Sequence, residues 1–222
     1  MNPNLVIIGT RSRPDNAVRA FQALKETSVE SDFIIVINED QQDLYPEIDG
    51  VQREVVPTLF GANEKGNYVV PKYWDLYSTI TGIDDDCLVQ TPGWDAIITA
   101  PIKERGYGIS YGNDGMQGSK LPTKVTISTN IVKALGFFSP RQFKHSFCDN
   151  FWKVLGESLG ALDYFEDVNM EHLHWINGKA PKDETYKLNT KELFAKDQKA
   201  YFNYMQNDFE TDLMRVKRDL GL

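Results

Sequence analysis

Three consecutive carboxylates, Asp84, Asp85 and Asp86, end the apolar run Thr79-Ile80-Thr81-Gly82-Ile83 and lead into Cys87-Leu88. Like charges held this close repel one another unless water or a cation compensates, and such a cluster at a strand end offers oxygen ligands to a hard divalent ion. In an extended backbone successive side chains point to opposite faces, so Asp84 and Asp86 share a side while Asp85 points away. An Asp-x-Asp pair can hold Mg²⁺ or Mn²⁺ and still leave coordination positions for substrate phosphates. The plainer reading of the same residues is a solvated acidic turn. An EF-hand does not fit, because position five of the loop would be Leu88 and no Gly follows it.

His172 and His174 are two of the three histidines and flank Leu173 directly after Glu171. If residues 167–174 are extended, both imidazoles lie on one face, and either can complete the coordination begun by Asp84 and Asp86. His174 is slightly favoured by its nearness to the loop with Gly178, Lys179 and Lys182, which is placed to fold over a diphosphate. A purely structural role for both rings is the alternative. Trp175, beside them, is a candidate for stacking on a sugar. Asp114, in Tyr111-Gly112-Asn113-Asp114-Gly115, is either a sugar contact or ordinary turn chemistry.

The elements that must position these groups alternate between strand and helix. Leu5 to Gly9 reads as a buried strand, and Thr10-Arg11-Ser12-Arg13-Pro14 leads into a helix with Val18, Phe21 and Leu24 at helical spacing. Pro14 suits a helix start. Phe33 to Ile37 is the next strand, ending in Asn38-Glu39-Asp40. A strand over 51–56, a Gly-containing loop from Gly61 to Asn67 and a short helix beginning near Pro71 precede the acidic strand. This order implies an α/β fold with a mostly parallel sheet, right-handed crossovers and ligands at the carboxyl ends of the strands. Three polar clusters then converge: Thr10 to Arg13, Asn38 to Asp40, and Asp84 to Asp86. The set suits a nucleoside diphosphate, with Arg11 and Arg13 on phosphate and Glu39 or Asp40 on a base or ribose. Thr10 and Asp85 complete the candidates for that grip. In the second half, Asp149 starts a pattern with Phe151, Trp152, Leu155 and Leu159 and so is a candidate N-cap, worth about 1 kcal/mol. Beyond Asn189 a charged helical pattern carries Leu193, Tyr201, Tyr204, Phe209, Leu213 and Val216; it packs on the domain, mediates self-association or helps hold an acceptor.

With 222 residues and 41% hydrophobic content, the chain buries a core without a disulfide scaffold. Cys87 and Cys148 read as reduced thiols of a cytosolic protein. No secretory signal or membrane-length apolar stretch is evident. A net charge of -8 argues against tight nonspecific binding to nucleic acid.

These residues carry a family resemblance. Leu5 through Asp40 to Asp84-Asp85-Asp86, with Thr91-Pro92-Gly93-Trp94-Asp95, resembles the nucleotide-sugar half of a GT-A glycosyltransferase of the family 2 type. Gly112-Asn113-Asp114, Leu121-Pro122-Thr123, Asp149-Asn150-Phe151-Trp152 and Glu171-His172-Leu173-His174 ahead of Gly178-Lys179-Ala180 resemble small bacteriophage-encoded glycosyltransferase-like proteins. The resemblance covers roughly residues 4–190. It implies a GT-A fold over 1–188, with a nucleotide-binding half at 1–100 and an acceptor and metal-closing half at 101–188, then a helical extension at 189–222. It also implies that Asp84 and Asp86 hold the donor diphosphate through the metal. Thr10, Arg11 and Glu39 or Asp40 then grip the nucleotide, by family habit a uridine diphosphate, and Asp149 deprotonates the acceptor hydroxyl. An unambiguous Glu-Asp pair around Asp149 is missing.

The expected activity is therefore metal-dependent transfer of a sugar from a nucleoside-diphosphate donor to a hydroxyl, with inversion, in the cytoplasm (that of the host for a viral chain). The acceptor is left open among a modified DNA base, a protein and a glycan, as is the oligomeric state; the acidic charge disfavours DNA. A glycosidase is disfavoured, since it needs two carboxylates on opposite sides of a bond. A sugar-nucleotide pyrophosphorylase and a non-catalytic binding module of the same fold are the alternatives.

Overall fold

Alternation within the short apolar runs of the strands sorts the core into two layers. In the first strand, β1 (Asn2–Gly9), Leu5 and Ile7 point to one face of the sheet while Val6 and Ile8 point to the other, and all four are buried. β2 (Ser31–Asn38) repeats this with Ile34 and Val36 against Ile35 and Ile37. Burial on both faces requires helices above and below, as a sheet with helical crossovers provides. The computed structural model describes residues 2–58 and 61–222.

The chain continues through α1 (Pro14–Thr27, between β1 and β2), β3 (Gln52–Val56), α2 (Ala62–Tyr73), β4 (Tyr77–Asp84), β5 (Cys87–Val89), α3 (Trp94–Arg105), β6 (Ile109–Asn113) and β7 (Val125–Ser128). It ends with α4 (Thr129–Leu135), α5 (Cys148–Ser158), β8 (Leu162–His172), a single turn α6 (Glu184–Lys187), α7 (Lys191–Asn207) and α8 (Phe209–Leu220). The sheet order is β3-β2-β1-β4-β7-β6-β8-β5. β3, β2, β1 and β4 pair in parallel, β7 is antiparallel to β4 and β6, β8 is parallel to β6, and β5 is antiparallel to β8. Only β7 and β5 therefore oppose the common direction. The carboxyl ends of β1, β4, β6 and β8 lie along one edge, the edge where such sheets gather ligands.

One expected element differs. Residues 61–67 are not a loop before a helix at Pro71: α2 begins at Ala62 and Pro71 lies in its last turn. Gly66 and two asparagines argue against helix on propensity alone, but tertiary contacts override it. Asn67 accepts from the Phe138 N–H at 2.7 Å and donates to the Ser139 carbonyl at 2.8 Å, and Asn63 donates to the Pro140 carbonyl at 3.1 Å. Gly66 lies so close to Phe138 that a Cβ there would stand 2.6 Å from the ring.

The charged C-terminal pattern forms two helices, α7 and α8. They pack on the domain: Tyr204, Phe209, Leu213 and Val216 join the core layer built by α4, α5 and one face of the sheet. Among the described residues no helix is long and apolar enough to cross a membrane.

Asp95, in the first turn of α3, ties that helix to the connection between α1 and β2. Its fully buried carboxylate accepts from the N–H groups of Val29 at 3.1 Å and Glu30 at 2.9 Å and from the hydroxyls of Ser28 and Ser31. Burial pushes its pKa up, yet these donors hold it below the ordinary value. Asp95→Ala strands two backbone donors and should cost about 2–4 kcal/mol in urea unfolding. Because the folded pKa lies below the unfolded one, the contribution of the native Asp95 is present above the unfolded value and fades as pH falls through the folded one. Equal unfolding midpoints for the two proteins would contradict this.

Candidate functional site

β4 ends at Asp84, and Asp85 and Asp86 form the turn into β5. Strand alternation therefore does not orient the three carboxylates; each is instead fixed by its own partners. Asp84, 44% exposed, takes the Lys124 ammonium on Oδ2 at 2.7 Å. Lys124 precedes β7, is 1% exposed, and has its pKa raised because the charges of Asp84 and Asp86 outweigh burial. Asp85 is buried and accepts from the Thr10 hydroxyl at 2.7 Å and from Arg13 Nη1 at 3.1 Å. Burial pushes its carboxyl up to about 6 against the pull of Arg13. Asp86, also buried, accepts from the Tyr186 hydroxyl at 2.7 Å, and His172 Nε2 stands 3.2 Å from its Oδ1. Burial works against its charge, but the His172 contact and the Lys124 charge hold its pKa below the ordinary value.

The basic groups divide sharply. Arg13, offered by its sequence position to phosphate, is spent on carboxylates: Nε and Nη2 on Asp183 at 2.7 and 2.9 Å, Nη1 on Asp85 and Asp86. Its guanidinium also lies 4.2 Å from the Tyr186 ring centre. Arg11 is different. Its Nη2 stands 3.5 Å from Asp40, while Nη1 is buried without a hydrogen-bond partner. Lys65 on α2 is buried, gives its ammonium to the Thr10 carbonyl, and burial lowers its pKa to about 8. Neither Glu39 nor Asp40 lines the cleft: both are exposed in a 3₁₀ turn, and Asp40 reaches the site only through Arg11.

A cleft of about 170 Å³ joins these groups, lined by Thr10, Arg11, Arg13, Lys65, the three aspartates, His172, His174 and Tyr186. His172 and His174 do share a face, their rings 5.1 Å apart. His174, however, uses Nδ1 to accept from the Ile176 N–H at 3.2 Å, and burial and His172 lower its pKa. The neutral ring thus carries its proton on Nε2, which has no lone pair for a metal in this arrangement. Of the two histidines, His172 makes the contact with Asp86. Lys179 pairs with Glu171 at 2.5 Å, and the Lys182 ammonium sits 4.4 Å from the Trp175 ring centre, occupying the face a sugar would use. Asp114 is committed to its turn, taking the N–H groups of Met116, Gln117 and Gly118 and the Thr123 hydroxyl.

A second cleft of about 380 Å³ adjoins the first through Gly9, Lys65, Asp84, His145 and His172 and contains Asp149. Asp149 is not the N-cap of α5, a position taken by Phe147 in the left-handed conformation at φ 72°. Burial raises the Asp149 pKa, the Asp84 charge adding to it, which makes the carboxylate a stronger base than an exposed one.

Among the described residues no three His, Cys, Asp or Glu side chains form a group arranged to hold a metal ion. Hard divalent ions such as Mg²⁺ are commonly held by only one or two carboxylates together with substrate phosphates. The half-exposed Asp84 carboxylate, in one cleft with Asp86, is of the donor type that suits such an ion.

No protein-family model and no curated protein matches the chain. Solved structures do. The mannosyltransferase PcManGT from Pyrobaculum calidifontis, in complex with GDP-Man and Mn²⁺, superposes with TM-score 0.60 at 12% identity over 99% of this chain and 74% of that one. Glucosyl-3-phosphoglycerate synthase from Mycobacterium tuberculosis, in complex with Mg²⁺ and uridine diphosphate, gives 0.61 at 10% identity over 90% and 79%. Rv0371C from M. tuberculosis H37Rv, in complex with manganese, gives 0.53 at 10% identity over 79% and 95%. Identities this low establish the fold alone: it is the GT-A fold, and in this chain it ends in the two helices α7 and α8.

Lys65 gives the site a pH signature. Its folded pKa, about 8, lies below its ordinary 10.5, so the unfolded chain holds more protons across that window and stability rises with pH there. The shift corresponds to roughly 3 kcal/mol. Urea unfolding between pH 8 and 10 should show this slope, and Lys65→Met should remove it; parallel profiles would mean Lys65 is not desolvated.

Proposed function

We propose that the chain is a metal-dependent glycosyltransferase that moves a sugar from a nucleoside-diphosphate donor to a hydroxyl acceptor with inversion at the anomeric carbon. The observation that carries this reading is one cleft setting the half-exposed Asp84 carboxylate beside the partnerless Arg11 Nη1 and the buried Lys65 ammonium. Buried cationic donors near an open carboxylate ask for a ligand that is both anionic and able to share a cation, which describes a diphosphate with Mg²⁺ or Mn²⁺. The neighbours of this fold bound to GDP-Man, to uridine diphosphate and to Mn²⁺ or Mg²⁺ support the same donor class, and uridine carriers are the first to test.

Asp84 and Asp86 would hold the ion, which when bound neutralises charge on the departing diphosphate. Arg11 and Lys65 act on that same charge from the β1 side. Asp149, in the adjoining cleft, accepts the proton of the acceptor hydroxyl as its oxygen bonds to the anomeric carbon and the bond to the diphosphate oxygen breaks. The buried surroundings of Asp149 favour that proton transfer. Thr10 and Arg13 act indirectly, by fixing Asp85 and the turn that carries Asp86.

Thermal unfolding across a panel of nucleotide sugars, with and without Mn²⁺, tests the donor site. A donor at about 100 times its dissociation constant adds roughly 2.7 kcal/mol of stability. One donor should stabilise the chain only with metal, and Asp84→Ala/Asp86→Ala should abolish the effect. Asp149→Asn should keep that stabilisation while slowing transfer by about 10²- to 10⁴-fold. If no donor shifts the transition, or the shift ignores metal and both aspartates, the reading is wrong. A donor shift without transfer to any acceptor would leave a nucleotide-sugar-binding module.

The scarcity of protein ligands adds a second expectation. Calorimetric titration with Mn²⁺ alone should give weak binding that tightens by an order of magnitude or more with nucleoside diphosphate present. Tight, nucleotide-independent binding would place the ion elsewhere.

A further inference from the structure

We propose that the second cleft takes a neutral acceptor, a small alcohol on an aromatic or branched hydrocarbon body, rather than an anionic one. This rests on the transferase reading and specifies its acceptor. The cleft, about 380 Å³, is of a size with small-molecule sites, and Leu121, Phe138, Phe147, Trp152 and Phe194 form its apolar wall, with Thr123, Ser146 and Asn150 among its polar lining.

The aromatic walls present carbon rather than hydrogen-bonding groups. Trp152 spends its indole N–H on the Phe138 carbonyl at 2.9 Å, and the two rings stand 5.1 Å apart. The Phe138 ring reaches this position because Gly66 and Gly82 leave room for it: a Cβ would stand 2.6 Å from the ring at Gly66 and 3.2 Å at Gly82. Phe147 stacks between Phe194 and Tyr201 of α7, at 5.1 and 5.3 Å, so the C-terminal helices supply the outer wall.

The charges in the cleft point the same way. Among the described residues no arginine lines it; Lys124 is held by Asp84, and the Lys65 ammonium is turned to the carbonyl of Thr10, a residue that lines the first cleft and not this one. Asp84 and Asp149 face the same space. A phosphate or carboxylate entering there would meet the Asp84 and Asp149 carboxylates, with neither lysine ammonium turned toward it, and would leave a buried charge unpaired. A neutral alcohol meets no such penalty. Its hydrocarbon body gains from the apolar walls, and its hydroxyl has Asp149 as acceptor.

The test is fluorescence or calorimetric titration of the full chain with naphthol as the neutral aromatic probe and phosphoglycerate as the anionic one. Naphthol should bind saturably, Leu121→Asp should weaken it by about tenfold or more, and Phe194→Ala by severalfold. Phe194 is 51% exposed, so its truncation leaves folding intact even if Leu121→Asp does not fold. Tighter binding of phosphoglycerate, no saturable naphthol binding, or naphthol binding that ignores Phe194→Ala would each overturn the proposal. These titrations contain neither nucleotide nor metal, so failure of the acceptor assignment and failure of the donor assignment are read in separate experiments.

Discussion

Placing three carboxylates in succession at the end of one strand is the constraint around which the rest of the site is organised. At contact distances in a dry interior, like charges repel by far more than a surface turn would tolerate. The chain resolves this by giving each carboxylate its own partner from a different element. Lys124 comes from the start of β7, Arg13 and Thr10 from the turn after β1, His172 from the end of β8, and Tyr186 from the short α6. The segment after β8 is tied down by the same need, since Asp183 chelates Arg13 and the Thr185 hydroxyl reaches the Arg11 carbonyl at 3.1 Å. The acidic turn thus draws together elements separated by a hundred residues.

That neutralisation determines what chemistry remains available. Arg13 and Lys124 are counterions of the protein itself and have little left for a ligand. Half-buried Arg11 and buried Lys65 stand at the first cleft without carboxylates at salt-bridge contact closer than 3.5 Å, and the buried Nη1 of Arg11 has no hydrogen-bond partner. The positive field on offer to a diphosphate is therefore modest, which makes a divalent ion on Asp84 the natural supplement. In the second cleft Lys124 is held by Asp84, the Lys65 ammonium is turned away to the Thr10 carbonyl, and aromatic rings form one wall. The two adjoining clefts thus differ in character, the first lined mostly by charged and polar groups and the second carrying an aromatic wall, and Asp84 belongs to both.

The sheet and the meeting of strand ends were legible because parallel strands buried on both faces read as unbroken apolar runs, as in Leu5–Ile8 and Phe33–Ile37. The acidic turn was legible because charge at a strand end contrasts with the run before it. The partners were not. Lys124 is a single lysine before a strand, Lys65 lies in a segment whose Gly66 and asparagines suggest a loop, and Tyr186 is one of ten tyrosines. Each acquires its role from a contact tens of residues away, which no local pattern encodes. Local propensity misread α2 for the same reason: what holds Asn63 and Asn67 in a helix is the backbone of residues 138–143.

The C-terminal helices, which the sequence left with three possible roles, bear on the chemistry through one buried carboxylate. Asp197 of α7 accepts from the N–H groups of Lys144, His145 and Ser146 at 2.9, 2.8 and 2.7 Å, clamping the backbone just before α5. The next residue, Phe147, adopts the left-handed conformation, which costs a non-glycine residue on the order of 1 kcal/mol and persists only when its surroundings impose it. The clamp and the aromatic stack on Phe194 and Tyr201 supply that imposition. Because α5 starts from Phe147, the direction in which it delivers Asp149 is set by this turn. α7 therefore orients the proposed base from behind while its Phe194 lines the second cleft, so a helix outside the sheet becomes part of the proposed site.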